Sequence, residues 1–192
     1  MQKIGTRILE TKRLILRRFR LDDAEDMYRN WASDPEVTRY LTWPCHSSSE
    51  ATRGLLEQWA ERYADGSVFN WAIEFRAAQQ VIGNIAAVKL NEEIGSAEIG
   101  YCLSRRYWGQ GIMPEALIAV MRYLFDEAGI NRIAAYHDVN NPKSGRVMEK
   151  AGMKYEGTLR QAEKNNQGIC DVVLRAALRN EWRIPVIAVE CV

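Results

Sequence analysis

The feature that most constrains the fold is a change in hydrophobic period just after Leu103. Before it, three short segments suited to β-strands follow one another with only a few residues between them, at 69–75, 81–90 and 96–103. Such short connections predict an antiparallel meander. After it, apolar residues recur at helical spacing from Met113 to Ala128. A strand, this long helix and a second strand at 132–139 make a crossover unit, which favours a parallel pair within the same sheet.

Further elements are expected on either side of this centre. A strand is predicted at 13–19, and its arginines are interpreted as solvated positions. Two helices are predicted to begin at the capping residues Asp22 and Ser47. A short helix and two late strands complete the pattern, at 141–151, 155–159 and 170–178. Together these elements predict a mixed α/β sheet of six to seven strands with helices on both faces.

The chain length fits one domain that spans residues 1–192. A chain of 192 residues can bury a full core without the help of a disulfide or a metal. An apolar content of 47% excludes a disordered protein. The apolar tail, 184–192, is expected either to add an edge strand or to contact a partner subunit, so a homodimer stays open.

Composition also narrows the class of partner and the cellular compartment. The 26 basic residues nearly balance the 25 acidic ones, which argues against a general nucleic-acid binder. The sequence shows no export signal and no apolar run long enough to span a membrane. Four scattered cysteines suggest a reducing cytoplasm. Because there is no CxxC pair and there are two histidines in all, a structural zinc site is not expected.

The most informative stretch is the turn that joins the strand ending at Leu103 to the long helix. This turn contains Gly109 and Gly111. Glycines at a strand-to-helix turn allow backbone N–H groups to approach a ligand, and the helix N-terminus adds a partial positive charge. The turn therefore suits a pyrophosphate, although two glycines before a helix are also typical of a plain tight turn.

This stretch resembles the acyl-CoA pyrophosphate loop of the GNAT superfamily of N-acetyltransferases. The similarity extends from about Glu10 to Leu178, and its most specific pieces are the strings YWGQGIMPEAL, NNPKSGRVMEKAGM and EGTLRQAE. The chain most resembles the branch of ribosomal-protein N-terminal (serine/alanine) acetyltransferases. The resemblance implies a GNAT-like sheet, mostly antiparallel, in which a splayed parallel strand pair binds acyl-CoA.

The resemblance also implies which residues bind acetyl-CoA, the acetyl donor. The loop motif fits in two registers, 106–111 and 108–113, and the second leaves the usual loop length after the strand. The implied binding residues are Tyr101, Cys102, Leu103, Trp108, Gly109, Gln110, Gly111, Ile112, Met113, Asn141 and Ser144. A backbone N–H near Leu103, where the strands of the family splay apart, is the implied donor to the oxyanion. The resemblance implies no metal.

Two further stretches carry residues with implied catalytic roles. Asn141 before Pro142 is a good helix start in its own right. The resemblance places Asn141 and Ser144 along the CoA arm, with Ser144 near the thioester sulfur. Many relatives carry a tyrosine proton donor where this chain has Met148, so Ser144 or water is expected to assist the departing thiolate. Glu163, in the third stretch, matches a position where relatives have a proposed general base.

Other groups compete for the role of base. Glu98 alternates with apolar neighbours and can therefore face the substrate side of its strand. His137 lies late in the crossover strand, and histidine is a residue type that can act as a base at neutral pH. For each of them a structural role is the commoner one, and an ordered water is a further alternative. Cys102 is interpreted as an inert buried thiol. Trp43, between the first two helices, is expected to line the acceptor groove.

The activity implied by the resemblance is direct transfer of acetyl from acetyl-CoA to a primary amine. The expected acceptor is the α-amino group of a protein N-terminus, of the ribosomal-protein type. A small-molecule amine, such as a polyamine or an antibiotic-like compound, is an alternative acceptor. A non-catalytic acyl-CoA-binding module on the same fold is an alternative function.

Overall fold

The three consecutive strands predicted at the centre form the middle of one mixed sheet. The structure, a computed structural model, describes residues 2–185, so the predicted tail segment falls mostly outside the described residues. The strands are β1 (Leu9–Glu10), β2 (Leu14–Arg17), β3 (Asn70–Phe75), β4 (Gln80–Asn91), β5 (Ser96–Leu103), β6 (Arg132–Asp138), β7 (Lys154–Asn165) and β8 (Gly168–Leu178). These eight strands of the described range lie in the order β1-β2-β3-β4-β5-β6-β8-β7.

In the same range, five α-helices connect the strands. They are α1 (Ala24–Met27), α2 (Pro35–Thr38), α3 (Ser49–Arg62), α4 (Ile112–Asp126) and α5 (Pro142–Lys150). A short 3-10 turn precedes α1, and a π-helical turn, Tyr28–Ala32, follows it directly. Among the described residues no helix is both long enough and apolar enough to cross a membrane.

Strand alternation places two apolar clusters on the two faces of the sheet. One cluster joins α4 and α5 to strand residues such as Ile73 and Ile99. The other joins α1 and α3 to strand residues such as Ala72 and Cys102. Successive residues of a strand point to opposite faces, which is why the neighbours Ala72 and Ile73 belong to different clusters. Helices therefore cover both faces of the sheet, as predicted.

The parallel pair that the crossover unit favours is β5 with β6, and it is short. Within the described residues the ladder joins 96–98 to 132–134. β5 then continues to Leu103 against β4, and β6 continues against β8. Because each strand stays with its other neighbour, a wedge-shaped gap opens between β5 and β6 beyond Glu98. The splayed parallel pair implied by the family resemblance is thereby confirmed.

The structure differs from the predicted elements at several points. The sheet has eight strands rather than six to seven, because the two-residue β1 pairs with β2 as an additional edge strand. The side chain that caps α3 is Ser48, not Ser47. At the first helix, Asp23 rather than Asp22 accepts the backbone N–H of Arg20, at 2.7 Å. At α3 the predicted serine cap is therefore present one residue further along the chain. At the first helix Asp23 instead accepts from the N–H three residues before it, and no side chain among the described residues caps the start of the 3-10 turn or of α1.

Arg17 is buried, contrary to the prediction that the arginines of the first strand are solvated. Its guanidinium donates two hydrogen bonds to the carboxylate of Asp23, at 2.7 and 2.8 Å, and its Nε donates to Glu74 at 2.6 Å. The hydrogen bond to Asp23 is the main reason that the pKa of Arg17 is raised. A buried cation is tolerated when it is paired in this way.

Candidate active site

The turn between β5 and α4 holds its two glycines in the left-handed backbone region. The chain makes a 3-10 turn, Arg105–Tyr107, and then passes through Gly109 and Gly111, whose φ angles are 78° and 74°. Gly111 caps the N-terminus of α4. Side chains are disfavoured at these angles, and a Cβ on Gly109 would meet nothing within 4 Å. The loop therefore presents an open backbone surface beside the first N–H groups of α4, where the helix carries partial positive charge.

Arg13 of the segment before β2 braces this loop, a role that the sequence did not indicate. Its Nη1 donates to the carbonyl oxygen of Gln110 at 2.9 Å, and its Nε donates to Glu115 Oε2 at 2.7 Å. The nearly buried carboxylate of Glu115, in the first turn of α4, also accepts the hydroxyl of Thr11 at 2.5 Å. These contacts fix the loop and the helix start to the edge of the sheet.

The backbone of Leu103 is directed into the gap between β5 and β6. In an antiparallel ladder, alternate residues exchange hydrogen bonds with the same neighbour. The N–H of Ser104 donates to the carbonyl oxygen of Ile82 in the β4 segment, at 2.8 Å. Leu103, one residue earlier and opposite Gly83, therefore points its backbone groups away from β4. Its carbonyl oxygen accepts the indole N–H of Trp108 at 2.8 Å, which leaves its N–H facing the gap.

Tyr101 and Ser144 meet across the gap, from β5 and α5. The Tyr101 Oη lies 2.9 Å from the Ser144 carbonyl oxygen and 3.0 Å from the Ser144 Oγ. Burial is the main cause of a raised pKa for Tyr101, so this phenol keeps its proton. The structure thus brings together two of the residues that the resemblance placed at the acetyl donor.

The start of α5 lies over the same gap. Asn141 occupies the capping position and Pro142 the first helical position, as the sequence predicted. Next to them, the ammonium group of Lys143 lies 5.1 Å from the ring centroid of Trp108, close enough for a cation–π contact across the mouth of the gap. Met148 is 1% exposed and belongs to the core, where it can neither donate nor accept a proton.

Cys102 lies apart from this group. Its side chain is in the apolar cluster with α1 and α3, on the other face of the sheet from Tyr101. Burial raises the pKa of its thiol to about 12. The thiol therefore stays protonated and is a poor nucleophile, in agreement with its interpretation as an inert buried cysteine.

Glu98 and Glu163 converge on the face of the sheet that α1 and α3 cover. Glu98 is the last residue of β5 that pairs with β6, so it stands at the apex of the gap. Glu163 is exposed on β7, just after a bulge at 160–162 in which the N–H of Gln161 donates to Asp171 Oδ1 at 2.8 Å. The pKa of Glu98 is raised, first by burial and then by the negative charge of Glu163.

His137, the other candidate base, faces the opposite way. A Cβ built on Gly145 of α5 would lie 2.5 Å from His137 Nε2, so the imidazole packs directly against that helix. Its Nδ1 lies 2.9 Å from the carbonyl oxygen of Asp138. The structure therefore separates His137 from the pair formed by Glu98 and Glu163.

Asn166, at the tip of the β7–β8 hairpin, ties that hairpin to the segment between α2 and α3. Its amide Nδ2 donates to the carbonyl oxygens of Thr38, at 2.8 Å, and Trp43, at 2.7 Å. Its backbone N–H donates to the carbonyl oxygen of Leu41 at 3.1 Å. We call this set of three hydrogen bonds the Asn166 clasp. No pattern in the sequence indicated it, because its partners lie more than a hundred residues away.

The Asn166 clasp closes one side of the sheet face that carries Glu98 and Glu163. Trp43 packs against His46, with ring centroids 5.3 Å apart, and burial lowers the pKa of His46. His46 is therefore neutral at physiological pH. Among residues 2–185 no group of three or more His, Cys, Asp and Glu side chains is placed to hold a metal ion. An amine can therefore approach Glu98 and Glu163 on one face of the sheet. A ligand bound at the glycine loop can reach the gap between β5 and β6 from the other side.

Comparison with known proteins identifies the same family that the sequence motifs resemble. A model of the acetyltransferase (GNAT) domain matches residues 13–154. The uncharacterized N-acetyltransferase p20 of Bacillus licheniformis is 32% identical over 174 residues, which are 91% of this chain and 97% of the relative. The ribosomal protein uS5-alanine N-acetyltransferase of Escherichia coli (strain K12) is 26% identical, over 91% of this chain and 92% of the relative.

A solved structure agrees in fold as well as in sequence. The crystal structure of the acetyltransferase (GNAT family) from Bacillus anthracis has a TM-score of 0.80 and 27% identity, over 91% of this chain and 100% of that one. The family match spans most of the chain, and the glycine loop and the splayed strands lie within it. The chain therefore belongs to the GNAT family of acetyltransferases, and its activity is acetyl-CoA-dependent N-acetylation.

Proposed function

We propose that this enzyme acetylates the α-amino group of a protein N-terminus, of the ribosomal-protein type. The observation that carries the proposal is a pair of carboxylates on one face of the sheet. Glu98 stands at the apex of the gap between β5 and β6, and Glu163 lies close enough for its charge to raise the pKa of Glu98. An amine that enters from this face meets two carboxylates. The similarity to the Escherichia coli ribosomal protein uS5-alanine N-acetyltransferase supports an N-terminal acceptor.

Acetyl-CoA is proposed to bind on the side of the glycine loop. The backbone amides of 108–113 are directed to the pyrophosphate, and the left-handed conformations of Gly109 and Gly111 leave room for its approach. Asn141 and Ser144, at the start of α5, are proposed to line the CoA arm. The thioester is then expected in the gap, where the Leu103 N–H can donate to the developing oxyanion.

Glu163 is proposed as the general base and Glu98 as its alternative. An ammonium group cannot attack a thioester, so its proton must first leave, and a positioned base typically contributes about 10²–10⁴-fold to the rate. Glu163 is exposed and can take this proton from an arriving amine directly or through one water. Glu98 is half-buried, and burial raises its pKa, which makes its carboxylate a stronger base than an ordinary glutamate.

The pKa of the acceptor supports an α-amine over a lysine side chain. An α-amino group has an ordinary pKa near 8, against roughly 10.4 for lysine. At neutral pH about a tenth of the α-amine is already neutral, but under about a thousandth of the lysine side chain. Two carboxylates of modest basicity therefore suffice to deprotonate an α-amino group.

Thiol release from acetyl-CoA with a matched set of acceptors tests the proposal. The set contains a peptide that begins with Ser or Ala, the same peptide with a blocked N-terminus and an internal lysine, and a small polyamine. We expect turnover of the free peptide and none of the blocked one. Turnover of the polyamine without turnover of any peptide would assign the small-amine alternative instead. Glu163→Gln should lower kcat about 10²–10⁴-fold, and Glu61→Gln, at an exposed position on α3, is its matched control.

A further inference from the structure

We propose that Tyr101 is a positioning residue for the leaving group, which holds the Ser144 hydroxyl as a hydrogen-bond donor to the departing thiolate. The inference rests on the proposed function, because it assumes that the thioester lies beside Ser144. It goes beyond the binding role that the family resemblance implied for Tyr101. The observation behind it is the contact of one phenol oxygen with both oxygens of Ser144.

The geometry allows two arrangements of the protons. A phenol has one proton, so Tyr101 donates either to the Ser144 carbonyl oxygen, at 2.9 Å, or to the Ser144 Oγ, at 3.0 Å. In the second arrangement the Ser144 hydroxyl proton is free to point into the gap. Donation by Tyr101 also polarises that hydroxyl, since hydrogen bonds in a chain strengthen one another. Negative charge on a nearby sulfur therefore favours the second arrangement.

Burial explains why a tyrosine suits this position. The pKa of Tyr101 is raised above its ordinary value, so the phenol remains protonated and acts as a fixed donor. Transfer of its proton outright would be costly for the same reason, and the proposal does not require it. Met148 lies in the core and offers no donor from α5, so Ser144 and Tyr101 are the polar groups that meet across the gap.

The reaction balances without a charge on Tyr101. The amine nitrogen bonds to the acetyl carbon as the carbon–sulfur bond breaks, and sulfur leaves with the electron pair of that bond. The amine proton goes to the carboxylate base. During departure the thiolate accepts a hydrogen bond from Ser144, whose oxygen accepts one from Tyr101. The thiolate afterwards takes a proton from solvent, which yields free CoA and the acetylated amine.

Tyr101→Phe removes the phenol oxygen and keeps the ring. With acetyl-CoA as donor we expect kcat to fall about tenfold, because the Ser144 hydroxyl loses the hydrogen bond that holds it towards the sulfur. With acetyl-seleno-CoA, whose selenolate is a much weaker base and needs less help to depart, the loss should shrink severalfold. Tyr123→Phe is the matched control, because it also removes a hydrogen bond of a buried tyrosine, to the Gly5 carbonyl oxygen. A loss that is equal for both donors would assign Tyr101 a purely structural role.

The proposal also predicts coupling between the two residues. Because Tyr101 acts through Ser144, the double variant with Ser144→Ala should be no slower than Ser144→Ala alone. Independent, multiplicative losses would overturn the inference.

A measurement without any acceptor separates this inference from the proposed function. The pH dependence of CoA binding, compared with that of desulfo-CoA, reports the pKa of the bound thiol. A hydrogen bond to the thiolate lowers that pKa, so it should be lower in the wild type than in Tyr101→Phe. Equal values in the two proteins would overturn the inference, even if peptides are acetylated. If no acceptor supports turnover but the two values differ, the acceptor proposal fails and the role of Tyr101 stands.

Discussion

Glu98 and Glu163 reach the same face of the sheet although two strands, β6 and β8, lie between the strands that carry them. The charge of Glu163 adds to burial in raising the pKa of Glu98. Replacing Glu163 with a neutral residue should therefore change the pKa of Glu98.

Glu163→Gln should reveal this change in a pH–rate profile. Loss of the negative charge lowers the pKa of Glu98, although burial still holds it above the ordinary value. If Glu163 is the base, kcat falls about 10²–10⁴-fold. If Glu98 is the base, activity persists and the acidic limb of the kcat/KM profile moves to lower pH, because a base with a lower pKa loses its proton earlier as pH rises. Steady-state rates with a Ser-starting peptide distinguish the two, and an unchanged profile would contradict both roles.

Gly111→Val should weaken acetyl-CoA binding at the glycine loop. The φ angle of 74° at Gly111 is disfavoured for a β-branched residue, and the added methyl groups crowd the N–H groups at the start of α4. We expect calorimetry to show a dissociation constant at least about tenfold higher, a loss of about 1.4 kcal/mol. Gly129→Val is the matched control, since Gly129 has a φ of 70° just beyond the other end of the same helix. Equal effects of the two variants would show strain alone and would contradict the loop assignment.

Asn166→Ala should raise the KM for the acceptor and leave acetyl-CoA affinity unchanged. The variant loses the two side-chain hydrogen bonds of the Asn166 clasp, each worth about 0.5–1.5 kcal/mol. The segment that carries Trp43 is then no longer tied to the hairpin, and we expect a KM increase of about 3- to 10-fold. Amide exchange across 39–47 should quicken in parallel. Gln167→Ala, at the neighbouring exposed position, controls for a general effect on the hairpin.

Arg17→Met should lower the free energy of unfolding by about 3–5 kcal/mol, because it leaves the buried carboxylate of Asp23 without its cation. The exposed pair of Arg29 with Glu25 gives the comparison. Arg29→Met should cost at most about 0.5 kcal/mol, since solvent screens that pair. Urea unfolding of both variants measures the difference. Similar losses would show that burial of Arg17 is not the decisive factor.

The parts of the fold that could be predicted are those whose cause is local in sequence. A short stretch of sequence is enough to recognise the alternating residues of the three meander strands. The same is true of the apolar stripe of α4 and of the glycines at its start. The burial of Arg17 could not be predicted, because one of its two carboxylate partners, Glu74, is brought next to it by strand pairing.

The same reasoning applies to the candidate site. The glycine loop and the helix start at Asn141 are contiguous in sequence, and the family resemblance rested on them. The Asn166 clasp, the brace from Arg13 to Gln110 and the contact between Tyr101 and Ser144 each join residues far apart in the chain. Sequence periodicity and motif spacing do not predict contacts between such distant residues, which become visible only in the tertiary structure.

The division of the site between two faces has a consequence for how such an enzyme can diversify. The groups proposed to bind the acetyl donor fall in two stretches, 101–113 and 141–144. The wall proposed for the acceptor comes from 38–46 and from the tip of the β7–β8 hairpin. Substitutions, insertions or deletions in the second pair of segments can alter which amine is accepted without disturbing the glycine loop. A duplicated copy of this gene could thus acquire a new acceptor through changes at the Asn166 clasp while it inherits its acetyl donor intact.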